Sequence, residues 1–356
     1  MGSFDRIQQL LSLPKQAKTK TYYPEMKQKS GMAIILDNIV HYFKYKHFDM
    51  DYYFLYGLDI KDFRDEKDYL DYGTYMQRRD WLNNHPSKTE QYSFTGVLQD
   101  KFYFSIFMES LGFRVPKTYG LVDIDKVFLF QEKRYISIDE MFSEKHNLIA
   151  KPLDGSGGIG IFSFSTSTDR FTINGENAKV EDLKKEFAKG KFFVQDLITE
   201  QHEDMAKLYP QAINTVRVTT VRDLNTGNIE IMGCMLLMGA RGAVVSNWHY
   251  GGVIINIEDN GYLNKYGFSL YEKKITKHPE TGVVFETFKV PFFEECVAEA
   301  KRCHELFYGI HSIGWDFAIL PDGICFIEGN DNWGMAAHQM VGGGLAAKFN
   351  KYYFKH

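Results

Sequence analysis

Between Leu148 and Thr166 the chain reads LIAKPLDGSGGIGIFSFST, with glycines at Gly155, Gly157, Gly158 and Gly160 and a lysine, Lys151, just ahead of them. A run so poor in side chains lets backbone N–H groups come close to anionic oxygens, as phosphate-binding loops require. A second stretch, GWDFAILPDGICFIEGN, sets Asp316 and Glu328 on either side of a Pro321-Asp322-Gly323 turn. Pro suits the first corner of a type I turn and Gly the left-handed position after it, so we expect a three-residue hairpin loop with Leu320 opposite Ile324. Counting outward, Asp316 then opposes Glu328, with Asn330 on the same face because strand side chains alternate. Two facing carboxylates repel unless a cation lies between them, and Mg²⁺, with its oxygen ligands, meets that need; a solvated acidic pair at a sheet edge is the plainer alternative.

The glycine spacing G-x-G-x-x-G also occurs in dinucleotide folds and protein kinases, so its context decides. A dinucleotide fingerprint opens a helix, whereas IFSFST reads as a strand. A P-loop needs Lys and Ser/Thr after its last glycine, where Ile161 and Phe162 stand here. Kinases place their lysine after the loop and carry HRD and DFG motifs, neither of which is found. What remains is a lysine at the end of one strand, a glycine flap and a returning strand. That hairpin either covers phosphates held by Lys151 or is a flexible surface loop.

These residues need a scaffold, and the rest of the chain describes one. Up to about Pro86 the apolar spacing is helical, as in GMAIILDNIVHYFKYKHF and YMQRRDWLNNH. Its abundant tyrosines suit packing between helices or contact with an acceptor. A helix over LQDKFYFSIFMESLG, ending at Gly112, leads into strand-like runs at RVPKTYGLV, NLIAKPL, GIFSFST, FFVQDLI, TVRVTTV, IEIMGCMLLM, GVIINIE, GWDFAIL and ICFIEG. Helices are expected near VEDLKKEFAKG and FFEECVAEAKRCHELF. The pattern is an α+β chain with a helical N-terminal region over residues 1–95, a part carrying the glycine-rich lid over 96–194, and a part carrying the carboxylates over 195–356. Arg217, a permanent cation on the TVRVTT strand, is suited either to a transferring phosphoryl group or to a structural ion pair.

Composition narrows the partners. Hydrophobic residues make up 44% and charged residues 25%, ordinary values for a packed globular protein. A net charge of −4 supplies no basic field for phosphate backbones, so nucleic acid is not an expected partner. The four cysteines form no CxxC pair, and no apolar run approaches the roughly 20 residues of a membrane span. A cytoplasmic protein with no integral membrane segment is expected; oligomeric state is not legible.

In order and spacing, the residues from about 97 to 345 resemble the ATP-grasp superfamily, in its sugar-transfer-associated branch of bacterial surface-polysaccharide genes. Lys101 in its QDK helix, AKPLDGSGGIG, VQDLI, INTVRVTTV, SNWHYGGVIINIEDNGYL and WDFAILPDGICFIEGN carry the likeness. The resemblance implies an ATP-grasp fold, two α+β subdomains clamping ATP. Lys101 and Lys151 would lie near the phosphates, under a flap that includes Gly155, Ser156, Gly157 and Gly158. Gln195, Asp196 and Ile198 would lie at the adenine, Glu203 rather than Glu200 at the ribose, and Asp316, Glu328 and Asn330 at Mg²⁺. It assigns catalysis to Arg217, Lys151 and Asn247. The implied reaction is ATP-dependent ligation of a small-molecule carboxylate, a sugar acid or amino acid, to an amine through an acyl phosphate, in polysaccharide synthesis. Phosphotransfer to a small acceptor and a non-catalytic nucleotide-binding role stay open beside it.

Overall fold

The computed structural model describes residues 3–48, 50–85, 94–153, 159–167, 170–243, 246, 248 and 251–355. Its first helices are α1 (Ser3–Lys20), α2 (Gly31–Tyr45), α3 (Met50–Leu55) and α4 (Tyr72–Asn84), so the N-terminal region is helical as its apolar spacing implies. The helix expected over 98–112 is instead two, α5 (Gly96–Gln99) and α6 (Lys101–Ser110). Asp100 breaks it: its backbone is extended and its carboxylate accepts hydrogen bonds from the N–H groups of Phe102 and Tyr103. Such N-capping satisfies donors that a helix start leaves orphaned, and it puts Lys101 at the first helical position.

A first antiparallel sheet contains β1 (Thr118–Asp123), β2 (Lys126–Leu129), β3 (Arg134–Ser137), β4 (His146–Pro152), β5 (Phe162–Thr166), β6 (Phe171–Ile173), β7 (Glu176–Ala178) and β8 (Lys191–Asp196), in the order β3-β2-β1-β8-β4-β5-β6-β7. Period-two alternation splits its side chains. Leu148, Ala150, Phe162, Phe164, Phe192 and Val194 face outward into a core with Met141 and Phe142 of α7 (Ile138–Ser143) and Leu183 and Phe187 of α8 (Val180–Phe187). The intervening residues Ile149, Lys151, Phe193 and Gln195 face inward.

A short helix, α9 (Glu203–Leu208), leads to the second antiparallel sheet: β9 (Thr215–Arg222), β10 (Ile229–Met238), β11 (Val253–Ile257), β12 (Leu263–Ser269), β13 (Lys273–Ile275), β14 (Ser312–Leu320) and β15 (Gly323–Asn330), in the order β13-β12-β11-β10-β9-β14-β15. One face buries Val216, Val218, Leu236, Ile255, Trp315, Phe317 and Phe326 with Cys296, Ala300 and Cys303 of α10 (Phe293–Leu306) and with Phe104 and Met108 of α6. Each large apolar side chain among them taken from water contributes about 1.5–3 kcal/mol, which holds α6, and Lys101 with it, against the second sheet. The close approach needs Gly329, where a Cβ would lie 2.9 Å from Leu98, 3.0 Å from Trp315 and 3.1 Å from Phe104.

The last helices, α11 (Met335–Gly342) and α12 (Ala346–Tyr353), join α4 in a further cluster that includes Tyr75, Leu82, Trp333, Phe349 and Tyr353. The four cysteines are buried and unbonded to one another. Among the described residues no helix is long and apolar enough to cross a membrane.

Candidate active site

The inner faces of the two sheets border a cleft of about 1680 Å³, which is larger than the roughly 300–1,000 Å³ of a single small-ligand pocket. On one wall, β4 and β5 form the hairpin that the glycine-rich motif implies, pairing from His146 opposite Thr166 to Ala150 opposite Phe162. Lys151 stands at the cleft end of β4, buried beside Ile149, Phe193 and Gln195. Asp154, Gly155, Ser156, Gly157 and Gly158 lie outside the described residues. Lys101 reaches the same place from α6, its Nζ donating to the Pro152 carbonyl at 3.4 Å.

On the facing wall one cross-strand row carries the charge. Met235 pairs with Arg217, Arg217 with Asp316, and Asp316 with Glu328 across β10, β9, β14 and β15. Asp316 does face Glu328, but not through the turn expected. The loop has two residues, Pro321 and Asp322, closed by Leu320 opposite Gly323, whose φ of 139° an L side chain rarely adopts. Left regular, that register would set Ile327 opposite Asp316 and turn Glu328 toward the apolar core. A β-bulge between the Phe317–Phe326 and Asp316–Glu328 pairs inserts the missing residue and restores the carboxylate to the cleft. Pro321 is accommodated because it sits inside the loop, where no ladder N–H is needed.

Arg217 and Asp316 form a fork-to-fork pair, Nε donating to Oδ1 at 2.5 Å and Nη2 to Oδ2. Of the two accounts open for Arg217, the ion pair is present, and it lies in the cleft. Asn330 donates its amide to Glu328 Oε1 at 3.0 Å, leaving its own carbonyl oxygen for a ligand. Burial pushes the Asp316 carboxyl up to about 6, with Arg217 opposing the rise and Glu328 adding to it. Burial also works against Glu328, but Arg217, the Asn330 amide and Lys151 outweigh it and hold that carboxyl below its usual value. Burial lowers the Lys151 ammonium, Glu328 opposes this, and Lys101 adds to it. Three cations and two carboxylates therefore share one poorly hydrated space.

The remaining expected residues divide. Gln195, Asp196 and Ile198 line the cleft along the edge leaving β8, together with Glu200. Glu203 opens α9, is exposed, and is absent from the lining. Asn247 lies outside the described residues, while its neighbour Ser246 bonds Thr215 Oγ1 at 2.9 Å on the cleft wall.

Sequence reasoning missed what supports the loop after Asn330. Arg79 of α4 is almost fully buried and donates to the Trp333 carbonyl and Asn332 Oδ1, each at 2.6 Å. Asn83 donates to the Asp331 carbonyl at 2.9 Å and to Ser312 O at 3.0 Å. In the sequence these are ordinary polar residues on a helix, and nothing marks them as buried. Tyr52, Tyr72, Asp80 and Asn84 also line the cleft, so the helical region forms part of its wall as well as packing on itself.

Residues 83–352 match the sugar-transfer associated ATP-grasp family, and the chain belongs to it. Among curated proteins none matches the chain. Solved structures it resembles include the ADP complex of the purK N5-carboxyaminoimidazole ribonucleotide synthetase, at 14% identity and a TM-score of 0.39, covering 74% of this chain and 52% of that one. An L-amino acid ligase from Bacillus licheniformis matches at 11% and 0.40, covering 73% and 48%. D-alanine-D-alanine ligase from Helicobacter pylori matches at 8% and 0.38, covering 72% and 58%. The chain thus spans about half the length of these structures.

Proposed function

We propose that the chain is an ATP-dependent ligase joining a small carboxylate, a sugar acid or an amino acid, to an amine in the synthesis of a surface glycan. The observation that carries this reading is the row Arg217–Asp316–Glu328 facing Lys151 and Lys101 across a cleft with room for a nucleotide and a second molecule. The donor set suits magnesium, since the buried Asp316 carboxylate and the half-buried Glu328 carboxylate meet side by side with an amide oxygen next to them. Bound there by Asp316, Glu328 and Asn330, Mg²⁺ would neutralise charge on phosphate oxygens.

The chain's own groups supply the rest. Lys101 and Lys151 neutralise phosphate oxygens, and Arg217 orients the group in transfer. The carboxylate oxygen attacks the γ-phosphorus as ADP leaves, and the amine then displaces phosphate from the acyl phosphate. This asks for alignment and charge stabilisation and needs no covalent nucleophile on the protein. For the ribose the geometry favours Glu200 over Glu203, and the walls made by Tyr52, Tyr72 and Trp248 suit the non-nucleotide substrate.

The test is incubation with Mg·ATP and pooled sugar acids, amino acids and amines, read by mass spectrometry. An amide with ADP and phosphate is expected, and Glu328→Gln should abolish it. A phosphorylated acceptor instead would identify a phosphotransferase; equal turnover by the variant would remove the metal assignment.

A further inference from the structure

Away from the cleft, three side chains converge where α2, the segment after it and α4 meet. His41 lies in the last turns of α2, whose C-cap Lys46 adopts a left-handed backbone with φ 65°. That turn brings His47 back across His41, with ring centroids 5.7 Å apart at 83°. Asp71 caps α4: its Oδ2 accepts from the Thr74 N–H at 2.7 Å. Its Oδ1 lies 2.7 Å from His47 Nε2 and 3.5 Å from His41 Nε2. The ligand atoms of the three residues all fall within 4.8 Å of one another.

The opposite edges of both rings are already engaged. His41 Nδ1 meets Glu66 Oε1 at 2.9 Å, and His47 Nδ1 meets the Tyr45 carbonyl at 3.1 Å. An acceptor at Nδ1 holds a proton there, and Nε2 of both rings faces Asp71 Oδ1, where it carries either a second proton or a metal ion. Metal-binding histidines are held this way, by a carboxylate or carbonyl behind the ring. Two ring nitrogens and a carboxylate oxygen thus meet at one point, which a metal ion can occupy in place of ring protons. His41 Nε2 is buried without a hydrogen-bond partner, and Asp71 is 4% exposed. Gly73 makes the room: a Cβ there would lie 3.0 Å from His47 Cε1. A cavity of about 20 Å³ bordered by His41 and Asp71 has space for one water as a further ligand.

The geometry points to a transition-metal site of the zinc class, with His41 Nε2, His47 Nε2 and Asp71 Oδ1 as its protein ligands. Zinc–ligand bonds of about 2.0–2.2 Å set tetrahedral ligand atoms about 3.3 Å apart, so the groups need move by only about 1 Å to close on the ion. Imidazole pairs suit zinc, nickel or copper and not magnesium, which separates this site from the cleft carboxylates. Its place suggests its use. The ion ties the end of α2 to the first turn of α4, the helix whose Arg79 and Asn83 hold the loop after Asn330.

The experiment uses the tag-free chain, stripped with chelator, loaded with zinc chloride and dialysed before elemental analysis. One zinc per chain is expected in the unaltered protein and in Glu328→Gln, and less than a tenth of that in His47→Asn. His47 is half exposed, so this variant should fold. Asp71→Asn keeps a capping side chain and should also lose the metal. Zinc should raise the melting temperature of the unaltered chain by several degrees and leave His47→Asn unmoved. Failure of the unaltered chain to retain zinc, or equal retention by both variants, overturns the site.

Discussion

Replacing Arg217 with Met tests whether the row across the second sheet is a buried ion pair at a working site. Arg217 lends Asp316 a two-bond fork at the inner end of the cleft, and Asp316 is 5% exposed. Without the guanidinium the carboxylate stays buried with no counter-ion bonded to it, beside the like charge of Glu328. Breaking a buried pair from one side costs about 3–5 kcal/mol, against about 0–1 kcal/mol for a pair at the surface. In a chain of 356 residues that corresponds to a fall in melting temperature of about 4–7 °C by calorimetry. The double variant Arg217→Met with Asp316→Leu removes both charges and should recover most of that stability while leaving turnover abolished. A single-variant loss below about 1 kcal/mol would refute the burial argument. A double variant that still forms product would refute the assignment of the row to chemistry.

Two further outcomes follow from the packing. Gly329→Val drives a side chain into Leu98, Trp315 and Phe104 and should cost about 1–3 kcal/mol. By shifting α6, and Lys101 with it, the change should raise KM for ATP more than it lowers kcat; an unchanged KM with intact folding would disconnect α6 from the nucleotide. Acid should destabilise the protein through two buried histidines. His304 donates from Nε2 to the Ile310 carbonyl and takes the Thr220 hydroxyl at Nδ1; His311 lies against the Tyr352 carbonyl. Burial lowers them to about 3 and about 4 respectively. The unfolded chain binds the extra protons, so stability is full above about pH 6.5 and falls toward those values, by about 3 kcal/mol in all at pH 5.5. Thermal denaturation at pH 7.5 and 5.5 checks this: His304→Gln should remove about half of the share these two carry, beside which the buried His338, lowered to about 3, adds its own, and a melting temperature that rises on acidification would contradict it.

Local patterning was enough to read the elements that carry the site. The period-two runs around Lys151 and around Pro321-Asp322-Gly323 are strands, and the helical spacing before residue 86 is helical, because alternation and three-to-four spacing are properties of a single segment. The broken helix at Asp100 was within reach too, since an Asp two residues ahead of Phe102 is an N-cap signal.

Tertiary structure decided the rest. The Asp316–Glu328 pairing is expected from a three-residue loop, yet it arises from a two-residue loop and a bulge at Ile327. The bulge depends on which face of β15 must bury Phe326 and which must meet Arg217, and the hairpin alone holds neither fact. Glu200 and Glu203 differ by less than one helical turn, so only the path of the chain into α9 tells which faces the cleft. Arg79 and Asn83 clamp a loop some 250 residues away, and His41, His47 and Asp71 converge from three segments. By itself the sequence determined which segments are strands and helices and where the glycine-rich run and the two carboxylates stand along the chain, because those follow from neighbours along the chain. Which charges face one another, and what braces them, rests on contacts between distant segments, and these exist only once the sheets and helices have packed.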